Sequence, residues 1–164
     1  MCSVEFAYPL QLPLSNEHYD TIGRVIVFWA FVEREIKGEI AWLEQRLNGQ
    51  KTIDPAKSFG ALLTRWRELA RIAAFPQKMI TSVDRIAGRS VKLKDRRDTL
   101  AHGTFLGSPE SPIYVKTKGD RIVELKDAAA ELAGLRSLAC DIGKTAADLL
   151  RVQASLNQLF DGRP

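Results

Sequence analysis

Residues 15–49, SNEHYDTIGRVIVFWAFVEREIKGEIAWLEQRLNG, read as one long amphipathic helix, and that reading decides the fold. Ser15 stands where an N-cap belongs, and Asn48-Gly49 supplies the stop. Between them Ile22, Ile26, Trp29, Ile36, Ile40, Leu43 and Leu47 recur at strides of three and four, the period of a helix with one buried face. Glu33 falls on the same stripe, where a carboxylate is costly to bury without a partner. Val27, Phe28 and Phe31 lie beside it, giving the helix more apolar surface than one core face needs. That surplus is one of two motives for expecting self-association.

Residues 1–14, with Pro9 and Pro13, read as an extended N-terminal arm, and 15–164 as one helical domain. Downstream, Asp54-Pro55 is a helix-start signal. Phe59, Leu62, Leu63, Trp66, Leu69 and Ala73 mark one face of a second helix that Phe75-Pro76 closes. A third begins near Gln77 and carries Met79, Ile80, Val83, Ile86 and Ala87. Gly88 weakens it, so a bend or break is expected before Lys92, with helix resuming from Leu93 to Gly103. Residues 107–112 are turn chemistry, and two short β-rich runs around Lys118-Gly119-Asp120 read as a hairpin. Asp127 then caps a last helix ending near Phe160, with Leu132, Leu135, Leu138, Ile142, Leu149, Val152 and Leu156 on one stripe. The expected fold is all-α: an up-and-down bundle of four to five helices with a small β-hairpin before the last.

The composition of the 164 residues is that of an ordinary globular chain, 45% apolar and 27% charged, which excludes disorder and collagen-like repeats. The longest apolar run, Val25 to Val32, is far short of the roughly 20 residues a spanning helix needs, so no membrane partner is expected. No secretory signal is visible at the N-terminus, and two cysteines, Cys2 and Cys140, make no disulfide framework. A cytoplasmic location follows as the expectation. Two histidines and no C-x-x-C argue against a zinc site, and neither phosphate-loop nor dinucleotide motifs occur, so no metal or cofactor is expected. A net charge of +4 is compatible with an anionic partner.

The chemistry concentrates in Lys94-Asp95-Arg96-Arg97-Asp98-Thr99-Leu100-Ala101-His102-Gly103. Arg85, Arg89, Lys92, Lys94, Arg96 and Arg97 form a cation cluster that either attracts a phosphate backbone or is a solvated face balanced by Asp84, Asp95 and Asp98. Helical phase puts Arg97 with Ile86, Ser90, Leu93 and Leu100 toward the bundle, and Arg96 toward solvent. His102 falls in the last turn, where the helix dipole favours its protonated form; it either moves a proton or caps carbonyls. Arg97 could hold a phosphate, and Glu33 either pairs with it across the bundle or keeps its head in water.

Arg97-Asp98 followed by His102 resembles the signature of the HEPN superfamily, small all-helical domains many of which are metal-independent ribonucleases. The motif's place at a helix end, before a turn or hairpin and a closing helix, is similar to that family. The resemblance implies that Arg97 binds the scissile phosphate and His102 moves a proton, with Asp98 and Glu33 supporting. It further implies RNA as substrate, a homodimer with two motifs facing one cleft, and a toxin or defence setting with an antitoxin or other protein partner. Thr104 departs from the family's antitoxin-paired branch, which has Tyr there. The alternative is a catalytically silent helical dimer that binds nucleic acid, a nucleotide or a protein.

Overall fold

A computed structural model of the chain describes residues 14–49, 58–102, 104–108, 111–118, 121–125 and 132–161, with side chains for 14–49, 58–101 and 132–160. The expected arm over residues 1–14 lies, apart from Leu14, outside them.

Helix α1 spans Asn16–Asn48. The Ser15 side chain accepts from the His18 backbone N–H, and Gly49 ends the helix in left-handed geometry (φ 69°), where a Cβ would be strained. The buried stripe is Val25, Trp29, Val32, Ile36, Ile40 and Leu43, whereas Ile26 and Leu47 are well over a third exposed. Val25-Trp29-Val32 and Ile22-Ile26-Trp29 have equivalent helical spacings. Only the neighbouring helices select between them.

Helix α2 spans Phe59–Ile72 and is capped by Ser58, whose hydroxyl accepts from the Ala61 N–H. The start signal at Asp54-Pro55 lies outside the described residues. Its ending, before Phe75-Pro76, is a turn in which Ala74 adopts φ 52°. Helix α3 runs unbroken from Gln77 to His102. The bend expected at Gly88 does not occur. One glycine costs about 1 kcal/mol against alanine, and burial of Val83, Ile86, Ala87, Leu93 and Leu100 outweighs it. Helix α4 spans Leu132–Asp161; the expected cap Asp127 is outside the described residues.

The expected all-α fold with one small hairpin is corrected in the segment between α3 and α4. Its described backbone is a three-stranded antiparallel sheet, β1 Thr104–Ser108, β2 Ser111–Lys118 and β3 Arg121–Leu125, in the order β1-β2-β3. Thr104 pairs with Val115 and Ser108 with Ser111, while Tyr114 pairs with Leu125 and Lys118 with Arg121. Of residues 107–112, expected as turn chemistry, Gly107-Ser108 end β1 and Ser111-Pro112 begin β2. Antiparallel pairing of β1 with β2 satisfies the backbone groups of these residues as strand. The described side chains all belong to the helices and the turns at their ends.

Four helices, not five, make the bundle among the described residues. Helix α3 runs against α2, with Arg71 and Arg67 meeting Asp84, and against α4, with Arg89 meeting Asp148 and Arg96 meeting Gly134. Helices α1 and α4 run side by side in the same sense: Glu17 meets Arg136, Glu35 meets Gln153 and Trp42 meets Phe160. Alternation in direction thus holds from α2 to α4. The core joins Trp29, Trp66, Ile36, Leu63, Ile86, Leu138 and Ile142, all essentially inaccessible. Trp29 meets Phe59 edge-on at 5.1 Å between centroids. No helix among the described residues is long and apolar enough to cross a membrane.

Candidate functional site

Where α1 passes α3, charged residues are held at a partly covered position. On α1, Trp29, Glu33 and Lys37 succeed one another at four-residue steps, so they share a face. On α3, Lys94 and Asp98 are one turn apart and Arg97 lies between them. The result is a chain of opposite charges. Lys37 stands 3.8 Å from Glu33, Glu33 3.7 Å from Arg97, and Arg97 2.9 Å from Asp98, which Lys94 also holds.

Arg97 is the centre of this chain. Its side chain is 19% exposed, and its guanidinium carbon lies 5.4 Å from the centre of the Trp29 ring. The cation faces the negative π-cloud of the indole, which favours it in that half-dry setting. Nη1 is engaged by Asp98. The contact from Nη2 to Glu33 is longer than a hydrogen bond, and the buried Nε has no hydrogen-bond partner among the described residues. Nε and Nη2 form one edge of the guanidinium fork, the geometry that grips two oxygens of a phosphate or carboxylate at once. On that edge Nε is buried and unpartnered among the described residues, and Glu33 stands against Nη2. Ile86, Ser90, Leu93 and Leu100 are buried on the same face of α3, as helical phase predicts.

His102 is the last residue of α3, at the position expected, and its side chain lies outside those described. Five residues separate it from Arg97, which is about 7.5 Å along the axis and about 140° around it. One helix therefore does not bring both positions to one side. Asp98 stands one turn before His102 on its own face and engages Arg97, so it is the residue placed between the two.

The remaining cations do not form one patch. Arg85, Arg89, Lys92 and Arg96 fall on the α4-facing side of α3 at steps of four, three and four. Arg89 and Arg85 engage Asp148, at 3.1 and 3.8 Å. Arg96, expected toward solvent, is half-buried and donates from Nη2 to the Gly134 carbonyl of α4 at 3.4 Å. Lys94 is drawn to Asp98. Lys92 is exposed and has no ion pair among the described residues.

Sequence reasoning missed Trp29, the Asp148–Arg151 pair and Glu39. Trp29 was read as core alone, and only the α1–α3 crossing places Arg97 against it. Asp148 with Arg151, paired at 2.7 Å, carried a readable i,i+3 signal. Glu39 is 5% exposed, with neither carboxylate oxygen in a hydrogen bond of ordinary geometry among the described residues. Burial pushes its carboxyl up to about 8; the nearby Trp66 indole N–H opposes this, and Glu35 one turn away adds to it. Glu35 itself is held below the usual carboxylate range by hydrogen bonds from Arg34 and Gln153.

Comparison with family models, with curated proteins and with solved structures finds no match to this chain.

Proposed function

We propose that this protein is an endoribonuclease of HEPN type, cutting RNA without a metal. The observation that carries the reading is the buried Nε of Arg97, unpartnered among the described residues, beside an Nη2 that Glu33 holds only at ion-pair distance, with Asp98 on Nη1. In this reading an RNA phosphodiester takes the position opposite the fork, displacing Glu33. Arg97 stabilises the added negative charge as the 2′-hydroxyl attacks phosphorus and the bond to the 5′-oxygen breaks. His102 moves a proton to or from the reacting oxygens. The products are a 2′,3′-cyclic phosphate and a 5′-hydroxyl.

The offset of about 140° between Arg97 and His102 bears on assembly. A homodimer, in which the motif of one copy completes that of the other, supplies both groups to one phosphate. Phe28, Val27 and Ile26 on α1 offer exposed apolar surface for such contact. A cytoplasmic toxin or defence role, with a protein partner that restrains it, belongs to the same proposal.

The deciding experiment incubates purified protein with mixed RNA in EDTA and compares His102→Ala. Wild-type cleavage should persist with chelator, and the variant should lose a factor of about 10²–10⁴ in rate while keeping its fold and most RNA affinity. Activity that requires added Mg²⁺ or Mn²⁺, or a variant that cuts at the wild-type rate, would overturn it. The same angular offset, together with Glu33 over the fork, favours as second reading a catalytically silent dimer that binds RNA, a nucleotide or a protein.

A further inference from the structure

Toward the N-terminal end of α3, more than three helical turns from Arg97, α3 and α4 flank a groove of 480 Å³ lined by residues from both helices. That volume lies within the roughly 300–1,000 Å³ usual for small-ligand sites. Its cations come from both walls: Lys78 and Arg85 from α3, Arg151 from α4. Asp148 is the one carboxylate in the lining, and its oxygens are already taken. Oδ1 accepts from Arg151 at 2.7 Å and Oδ2 from Arg89 at 3.1 Å. Arg85 is left 3.8 Å from Oδ2, beyond hydrogen-bonding reach, and Lys78 has no ion pair among the described residues. The groove therefore carries positive charge that its own acid does not neutralise.

We propose that this groove binds a phosphate group carried on an apolar body. Donors approaching from two walls suit a tetrahedral anion with three acceptor oxygens better than a planar carboxylate with two. Met79, Val152 and Leu159 supply the apolar part of the same lining, so the ligand has more to bury than its phosphate. Ser82, Ser155 and Gln158 add hydroxyl and amide groups for its polar edges. The phosphate comes either from a free small molecule or from a nucleic-acid strand. Nothing in this assignment rests on ribonuclease activity.

Calorimetric titration with phenyl phosphate, inorganic phosphate and phenol tests it on the full chain. Phenyl phosphate should bind at least about tenfold more tightly than inorganic phosphate, and phenol should not bind measurably, since both the anion and the ring are needed. The double variant Arg85→Gln/Arg151→Gln, at side chains 60% and 76% exposed, should keep its thermal transition and lose at least about tenfold in phenyl phosphate affinity. A short single-stranded RNA forms the last arm. RNA affinity retained by the double variant assigns the phosphate to a small molecule, and a parallel loss assigns it to the strand. No phenyl phosphate binding, binding no tighter than inorganic phosphate, or equal binding by the double variant overturns the site.

Discussion

Glu33 on α1 stands 3.7 Å from Nη2 of Arg97 on α3, near enough to offset its charge and too far to accept its proton. A carboxylate in that position competes with any anion for the guanidinium. Glu33→Gln should therefore tighten RNA binding several-fold, read by fluorescence anisotropy. The pair is partly solvated, so the same variant should lose no more than about 1 kcal/mol of stability in urea. Weaker RNA binding would show that Glu33 orients Arg97 rather than opposing its ligand.

Adjacent arginines should separate in function. Arg97 lies against Trp29 with its Nε unpartnered among the described residues, while Arg96 donates to the Gly134 carbonyl. Arg97→Ala should abolish cleavage and weaken RNA binding, whereas Arg96→Ala should leave cleavage within a few-fold of wild type. Loss of activity in the Arg96 variant with an intact Arg97 variant would reverse the assignment.

Glu39 makes folding pH-dependent in a stated direction. Its carboxyl is raised in the folded chain to about 8, above the ordinary value of 4.5, so the folded state holds a proton that the unfolded state releases. Its stabilising contribution is complete below pH 4.5, declines as pH rises, and is lost above about 8. The slope is at most about 1.4 kcal/mol per pH unit. Glu39→Gln keeps the shape and removes the titration. Urea midpoints at pH 6 and pH 8 should show the variant gaining on wild type at the higher pH; an equal difference at both would contradict it.

The exposed side of α1 should mediate self-association. Val27 is 63% exposed and Phe28 42%, so charging them costs the monomer's core little. Light scattering at tens of micromolar (an order-of-magnitude choice for a specific interface) should show a dimer for wild type and a monomer for Val27→Glu/Phe28→Glu. A monomeric wild type would remove the dimer from the proposal.

Local signals were legible wherever they are properties of a few neighbouring residues. The Ser15 cap, the Gly49 stop, the end of α2 before Pro76 and the burial of Ile86, Ser90, Leu93 and Leu100 all follow from spacing and backbone preference. Glu33 was recognisable as an acid on an apolar stripe, and Arg97 as the arginine turned inward.

What stayed hidden depends on which element lies opposite. The choice between Val25 and Ile26, the continuity of α3 through Gly88 and the shared direction of α1 and α4 were each decided by partners distant in the chain, and the third strand at 104–108 by its pairing with β2. The same holds for the site. Periodicity placed Arg97 on an inward face, but only the crossing of α1 over α3 set Trp29 and Glu33 beside it. Only the packing of α4 divided one run of basic residues between Arg97's network and the groove at Asp148. Helical spacing names the side of a helix on which a residue lies; the free energy of packing two helices together determines what that side meets.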